Sequence, residues 1–262
     1  MEKNIVHVGD NVDILKDLPD DSIDLTVTSP PYDDLREYQG YSFRFEELAA
    51  ELYRVTKPGR AVVWIIADAT IDGGETGSSF RQALHFQEIG FKLHDTMIWN
   101  KGTAAFQHKN RYIHAFEYMF IFSKGPLRKY NLIRDRLNKY GGKDIHGTER
   151  QRDGRTKPLS ETQRSKAVKE YGARLNIWDI TPDKHNKTGH PAVFPEQLAA
   201  DHIRSWSDPG DLVLDPFLGS GTTAAAAVMY ERDFIGCEIS PEYAEIARRR
   251  IETATRQLTL EF

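Results

Sequence analysis

The chain has 262 residues, of which 39% are hydrophobic, with a formal net charge of −4 and one cysteine, Cys237. This length and apolar content are enough for one sizeable core, so we expect one large domain with at most a lobe attached. The composition excludes an internal disulfide and a multi-cysteine zinc site, and the longest apolar run, residues 61–67, is far too short to cross a membrane. We therefore expect a soluble intracellular protein with no membrane partner and no metal, in which Cys237 is a buried apolar residue.

Short apolar strands alternate with helices along the chain. The predicted strands are 5–8, 23–28, 61–67, 95–99, 118–122, 212–215 and 234–238, and the predicted helices are 45–56, 79–89, 195–206, 222–231 and 241–255. Lys57-Pro58-Gly59 is expected to stop the first helix, and Pro241 suits the first position of the last one. Apolar strands separated by helices are typical of a parallel α/β sheet.

The first chemically informative motif follows the strand at 23–28 and reads Thr28-Ser29-Pro30-Pro31-Tyr32. The two prolines stiffen the turn and offer no N–H from their nitrogens, so the acceptors there meet little competition. The Ser29 hydroxyl and the Pro30 carbonyl are suited to accept from both hydrogens of an aromatic amine, and the Tyr32 ring is suited to stack on a flat base. This arrangement favours methylation of an exocyclic amine, although an isolated motif of this kind is equally compatible with an ordinary proline-rich turn.

Basic residues are concentrated between Lys124 and Arg174. This interval has fifteen Lys or Arg and six Asp or Glu, so the remainder of the chain is acidic. Its weak apolar periodicity predicts loops and short elements, and the clustered cations indicate nucleic-acid binding, with a solvated insertion as the alternative. The candidate DNA contacts are Lys124, Arg128, Lys129, Arg134, Arg136, Lys139, Lys143, Arg150, Arg152 and Arg155.

A glycine turn lies between the strand at 212–215 and the helix that follows it, and it runs from Asp215 through Gly219 and Gly221. Glycines in such a turn let the backbone approach a ligand at the carboxyl edge of the sheet. The turn lacks the lysine of a phosphate loop, and the next strand ends in Glu238, an acid placed to accept from ribose hydroxyls. An adenosine without phosphates fits this pair best. The alternative is a tight structural turn followed by a helix-capping glutamate.

Taken in this order, the motifs resemble those of bacterial and phage DNA amino-methyltransferases that use S-adenosylmethionine, in the subgroup whose catalytic motif precedes the cofactor motif. The resemblance implies a Rossmann-like methyltransferase fold with a mostly parallel, doubly wound sheet and an inserted basic target-recognition region. It places the catalytic half at 1–123, the target-recognition region at 124–178 and the cofactor-binding half at 179–262 of the same domain.

The resemblance also implies roles for individual residues. Asp10 is expected near the cofactor adenine, and Lys187 and His190 belong to an element that closes over its methionine end. The implied catalytic residues are Ser29, Pro30, Pro31 and Tyr32, and the implied cofactor-binding residues are Asp10, Thr28, Lys187, His190, Asp215, Phe217, Gly219, Gly221, Thr222 and Glu238.

The activity implied is site-specific methyl transfer from S-adenosylmethionine to the amino group of a base flipped out of double-stranded DNA, with S-adenosylhomocysteine as product. A serine before Pro-Pro-Tyr is commoner among cytosine-N4 enzymes, which favours cytosine, with adenine N6 as the alternative. An RNA or protein-glutamine methyltransferase and a non-catalytic DNA-binding regulator remain rival interpretations. The resemblance is also compatible with a cytoplasmic location, a homodimer and a separately encoded restriction endonuclease.

Overall fold

The computed structural model describes residues 1–31, 43–102, 110–164, 166–182 and 194–260. The chain divides into two compact units: Met1–Asn131 together with Asn176–Phe262 form the first, and Leu132–Leu175 form the second. Among the helices of these described ranges, none combines the length and apolarity needed to cross a membrane.

Strands and helices alternate at both ends of the chain, as the sequence pattern predicts, whereas several strands follow one another in its middle part. The strands are β1 (Ile5–Val8), β2 (Ile23–Thr28), β3 (Thr56–Ile66), β4 (Thr70–Ile71), β5 (Gly74–Glu75), β6 (Phe91–Asn100), β7 (Phe116–Lys124), β8 (Arg136–Leu137), β9 (Thr148–Arg150), β10 (Thr156–Pro158), β11 (Tyr171–Gly172), β12 (Ile177–Asp179), β13 (Leu212–Asp215) and β14 (Asp233–Glu238). The helices are α1 (Asn11–Lys16), α2 (Phe45–Val55), α3 (Ser78–Glu88), α4 (Glu161–Arg164), α5 (Glu196–Trp206), α6 (Thr222–Met229) and α7 (Pro241–Leu260).

The first unit is built on a twisted sheet whose eight strands, among the described residues, have the order β1-β14-β13-β2-β3-β7-β6-β12. Every neighbouring pair is parallel except the two that involve β7, which runs antiparallel to both β3 and β6. All six residues of β2 are buried, as expected for a central strand covered on both faces. The predicted α/β class and mostly parallel sheet are thus confirmed.

Helices cover both faces of this sheet, which makes it doubly wound. On one face Leu48 and Leu52 of α2 pack with Phe86 of α3 against the sheet. On the other face Ile203 of α5 and Ala247 of α7 do the same. Because both faces are covered, the edge formed by the carboxyl ends of the parallel strands is where a ligand can approach the backbone.

The sequence-based boundaries need one correction. The first predicted helix ends at Val55, but Lys57-Pro58-Gly59 lies inside strand β3 and not in a turn after the helix. The ladder to β2 shifts register here, and Gly59 has a φ of +80°. A bulge accommodates both the missing proline donor and the left-handed glycine, so the strand continues past them.

The second unit contains only short elements in its described residues, as predicted for the basic segment. Strands β9 and β10 pair antiparallel, as do β8 and β11. The predicted target-recognition interval, 124–178, extends beyond this unit at both ends. Trp178 belongs to β12, whose backbone pairs with β6 in the large sheet, and this pairing assigns it to the first unit.

Candidate active site

The carboxyl edge of the sheet brings the two sequence motifs together. Strands β14, β13 and β2 are consecutive neighbours and run parallel. Each of them ends in a predicted site residue, respectively Glu238, Asp215 and Thr28. The glycine turn and the Ser29-Pro30-Pro31 segment therefore leave adjacent strands on the same side of the sheet.

A buried hydrogen bond joins the ends of β2 and β13. The Thr28 hydroxyl donates to Oδ1 of Asp215 at 2.7 Å, and the backbone N–H of Phe217 donates to the same oxygen at 3.0 Å. Burial raises the pKa of Asp215 to about 6, against the opposing effect of these hydrogen bonds. The bond holds the residue before Ser29 against the first residue of the glycine turn, although the two are 187 positions apart in the chain.

The glycine turn has a backbone that side chains would disfavour. Gly219 and Gly221 both have left-handed φ angles, of +53° and +84°. A Cβ on Gly221 would lie 2.9 Å from the backbone of Ala247, so α6 and α7 pack closely only because this position is a glycine. The turn thus combines a tight bend with close approach of two helices at the edge of the sheet.

Glu238 is held at the end of β14 by backbone donors. Its Oε2 accepts from the N–H of Gly219 at 2.8 Å and its Oε1 accepts from the N–H of Ser240 at 2.9 Å. Burial raises the pKa of this carboxyl group. Each oxygen of a carboxylate has a second lone pair, so the group can still accept from a vicinal diol. These acceptor oxygens therefore fit the hydroxyls of a ribose, and the turn beside them carries no lysine that would suit a phosphate.

Asp10 lies next to Glu238 through the pairing of β1 with β14. The backbone N–H of Gly9 donates to the carbonyl of Glu238 at 3.0 Å. The Asp10 carboxylate caps α1 by accepting from the N–H of Val12 at 2.9 Å, and it also accepts from the Arg44 guanidinium at 3.2 Å. Asp10 is thus positioned beside the predicted ribose site by its own helix and by Arg44.

The remaining predicted cofactor residues differ in their surroundings. Phe217 is half-buried and packs edge-on against Phe43, with the ring centroids 5.5 Å apart. Thr222 is buried, and its hydroxyl accepts from Arg250 at 2.9 Å, which connects the start of α6 to α7. In this arrangement Thr222 stabilises the turn and Phe217 presents an aromatic surface near it. Lys187 and His190 lie outside the described residues.

The catalytic motif begins where β2 ends. Ser29 is half-buried, Pro30 is buried and Pro31 is half-buried, directly after the Thr28 bond to Asp215. Tyr32 lies outside the described residues. A half-buried hydroxyl and a proline carbonyl at the edge of a sheet are acceptors within a partly water-excluded surface, the environment in which they act most strongly on a positive charge.

Sequence reasoning missed two residues that order this edge. The Asn11 side chain donates to the carbonyl of Pro216 at 3.1 Å, which ties α1 to the glycine turn. Ser240 donates to Glu238 through its backbone N–H, and its role could not be predicted from the sequence because almost any residue can supply this donor. The N-cap preference of Asp10 was the one local signal that could have located α1.

The predicted DNA-contacting cations fall into two groups. In the first unit, Lys124 pairs with Asp21 at 2.6 Å and Lys129 pairs with Asp208, so an acid neutralises each of them, while Arg128 is exposed. The others lie in the second unit and are all exposed: Arg134, Arg136, Lys139, Lys143, Arg150, Arg152 and Arg155. Arg134 also lines a cleft of about 570 Å³ there, together with Lys166, Lys169 and Tyr171.

Within the described ranges, no group of three or more His, Cys, Asp or Glu side chains is placed to hold a metal ion. Cys237 is buried in β14, as predicted, and burial raises the pKa of its thiol. The chemistry of this edge thus consists of carboxylates, hydroxyls, carbonyls and aromatic rings.

Comparison with known proteins assigns the family. The family model described as DNA methylase, for N6 and N4 methyltransferases, matches residues 23–249. The orphan methyltransferase M.BamHII of Bacillus amyloliquefaciens is 55% identical over 246 residues, covering 90% of this chain and 91% of the relative.

Solved structures have the same fold. The PvuII DNA methyltransferase, specific for cytosine N4, superposes with a TM-score of 0.70 at 22% identity, over 99% of this chain and 92% of its own. A candidate DNA modification methylase from Thermus thermophilus, solved with S-adenosyl-L-methionine, gives a TM-score of 0.64 at 26% identity, over 95% of each chain. The chain therefore belongs to the DNA methylase family of N6 and N4 amino-methyltransferases.

Proposed function

We propose that this protein methylates the N4 amine of cytosine at a specific site in double-stranded DNA, with S-adenosylmethionine as the methyl donor. The observation that supports this most directly is the bond from Thr28 to Asp215, because it fixes the start of the amine-binding segment against the start of the glycine turn. A methyl transfer needs its two reactants held at close, in-line approach, and a shared edge of adjacent strands provides that proximity.

The residues around the glycine turn are suited to hold the donor. We propose that Glu238 accepts from the ribose hydroxyls and that Asp10 and Phe217 face the adenine, with Gly219 and Gly221 giving the backbone room to approach. When bound, S-adenosylmethionine supplies an electrophilic sulfonium methyl group. Lys187 and His190 complete the proposed site at the methionine end.

The segment after β2 is suited to hold the target amine. The Ser29 hydroxyl and the Pro30 carbonyl accept from the two amino hydrogens, which shifts the nitrogen lone pair away from the ring and towards the methyl group. The same dipoles favour the positive charge that develops on nitrogen during transfer. No general base is needed in this scheme, because the alkylated ring amine is strongly acidic and loses its proton after transfer. Tyr32 stacks on the base.

Duplex DNA must open for this chemistry, since the amine is unreachable within the stack. Flipping a nucleotide costs a few kcal/mol, and phosphate contacts by the exposed cations of the second unit offset that cost. We propose the target-recognition role for this unit, with Arg150, Arg152 and Arg155 among its phosphate contacts. The proposed methyl transfer can take place in a monomer or in a homodimer. Because the relative M.BamHII is described as an orphan methyltransferase, we favour an enzyme without a cognate endonuclease.

Cytosine is favoured over adenine by Ser29, the neutral residue that precedes the two prolines. The decisive experiment is nucleoside mass spectrometry of plasmid DNA methylated by the purified protein, with long-read mapping of the modified site. We expect N4-methylcytosine. N6-methyladenine would assign the other activity of the family, and plasmid DNA that carries no methylated base would contradict the DNA substrate.

A single substitution tests the role of the catalytic segment. Ser29→Ala should bind S-adenosylmethionine in calorimetry as the wild type does and yet transfer methyl groups far more slowly in single turnovers, because only the amine-holding contact is lost. Equal losses of binding and turnover would contradict the role given to Ser29.

A further inference from the structure

Three large side chains near the carboxyl edge of the large sheet are exposed. Tyr112 is 100% exposed, Ile71 is 54% exposed and Ile113 is 51% exposed. We call these three residues the edge ridge. Single exposed apolar residues are common on protein surfaces, whereas three on segments that are joined to each other form a candidate contact surface.

One residue of the ridge, Ile71, lies on a short hairpin. Strands β4 and β5 pair antiparallel around Asp72 and Gly73, whose φ angles of +50° and +78° are those of a tight hairpin turn. The Arg111 guanidinium donates to the carbonyl of Gly73 and pairs with Glu75 at 3.5 Å. Arg111 therefore fixes the segment that carries Tyr112 and Ile113 to the hairpin that carries Ile71.

The chain after Tyr112 is also held in place. The N–H of Lys101 donates to the carbonyl of Ala115 at 2.7 Å, which closes the excursion between β6 and β7. The His114 ring packs edge-on against Phe116 at 5.2 Å, and Phe116 packs in the same way against Tyr118. A row of aromatic rings along β7 thus continues from the core to the residues next to the ridge.

The topology places the ridge beside the proposed amine site. Its hairpin follows the carboxyl end of β3, and β3 is the direct neighbour of β2, whose end leads into Ser29. The segment 110–115 enters the amino end of β7, which lies on the other side of β3. The ridge and the catalytic segment therefore belong to the same edge of one sheet and one compact unit.

We propose that the edge ridge inserts into the DNA duplex at the flipped nucleotide, with the Tyr112 ring filling the space that the base leaves. This inference depends on the proposed function. The three side chains carry no charge, so they suit contact with the base stack rather than with phosphates. Apolar side chains wedge between base steps in other DNA-bending proteins, and an aromatic ring stacks on any base because every base has a π face.

The test compares methylation of two duplexes that contain the mapped site, one fully paired and one with a mismatched partner opposite the target base. Tyr112→Ala should lower the single-turnover rate on the paired duplex by about 10- to 100-fold, the range expected when one stacking contact is lost. On the mismatched duplex, the rate of Tyr112→Ala should return close to that of the wild type, since a mismatched base is easier to flip. Tyr112→Phe keeps the ring and should behave as the wild type.

The matched control is Met229→Ala, which removes an exposed apolar side chain at the end of α6, on the opposite edge of the sheet. It should leave both rates unaltered. Two results with an active wild type would overturn the proposed insertion of the ridge and leave the proposed function standing. In the first, Tyr112→Ala methylates the paired duplex as fast as the wild type does. In the second, its rate is reduced equally on both duplexes. A wild type that transfers no methyl group to DNA would overturn the proposed function and the ridge with it.

Discussion

The buried carboxyl group of Asp215 joins the two sequence motifs. It accepts from the Thr28 hydroxyl and from the N–H of Phe217, and it is only 3% exposed. Desolvation penalises its charged form, and the nearby Glu238 adds repulsion. The position therefore orders the junction between the two motifs at some cost in stability when it is ionised.

The sign of the pH effect follows from the pKa of Asp215, which is about 6 in the folded protein against 3.8 for an ordinary aspartate. Between these values the folded state binds more protons than the unfolded state, so the free energy of unfolding falls as pH rises through the window. The loss amounts to roughly 3 kcal/mol once both states are ionised.

Asp215→Asn should remove this dependence, because an amide oxygen can accept both hydrogen bonds and does not titrate. In thermal unfolding without ligand from pH 5 to pH 8, we expect the melting temperature of the wild type to fall relative to that of the variant, with most of the divergence completed by pH 7. Parallel curves would contradict the elevated pKa of Asp215.

At the level of secondary-structure elements, the contact between α6 and α7 depends on the absence of a side chain. Gly221→Ala should destabilise the protein by about 2 to 4 kcal/mol, the sum expected for a left-handed alanine and an overpacked helix contact. Gly210→Ala is the matched control, because Gly210 has the same φ of +84° but a Cβ there would meet no atom within 4 Å.

Chemical denaturation of both variants checks this prediction. Gly210→Ala should lose only the backbone contribution, about 1 kcal/mol. If the two variants unfold at the same denaturant concentration, the close approach of Ala247 has no energetic weight, and the glycine turn is required for its backbone conformation alone.

Elements with a strong local signal were predictable, and those created by distant pairing were not. Short runs of apolar and β-branched residues located β2, β13 and β14, nearly all of whose residues are buried. Strand β12 escaped prediction, since three residues just after the basic segment become a strand only through pairing with β6. The spacing from the glycine turn located Glu238, whereas no local pattern could reveal the bond between Thr28 and Asp215.

On the scale of the whole molecule, charge is distributed unevenly between the two units. The exposed arginines of the second unit include Arg152 and Arg155 at the turn between β9 and β10, and the side chain of Arg155 is 88% exposed. When exposed cations bind DNA phosphates, counterions are released from the DNA. This release is measured as the salt dependence of the binding constant.

The double variant Arg152→Gln/Arg155→Gln should reduce the slope of log K against log salt for DNA binding by about 2, close to one unit per phosphate contact. The control is Arg249→Gln/Arg256→Gln on α7, where each arginine pairs with a glutamate of its own helix. Fluorescence anisotropy in a salt series measures both. An unchanged slope in the first variant would assign the DNA contact to other cations.

The strand order β1-β14-β13-β2 also constrains how the chain is made. Among these four strands, β1 and β2 come earlier in the chain, and they are separated in the sheet by β13 and β14, which come later. A nascent chain that stops before Leu212 therefore leaves β1 without its partner and one side of β2 open. Pairings between such distant segments form slowly, and open strand edges invite aggregation meanwhile. The sheet therefore stays incomplete until the chain as far as Glu238 has been synthesised, and the open edges of β1 and β2 need protection from aggregation until then.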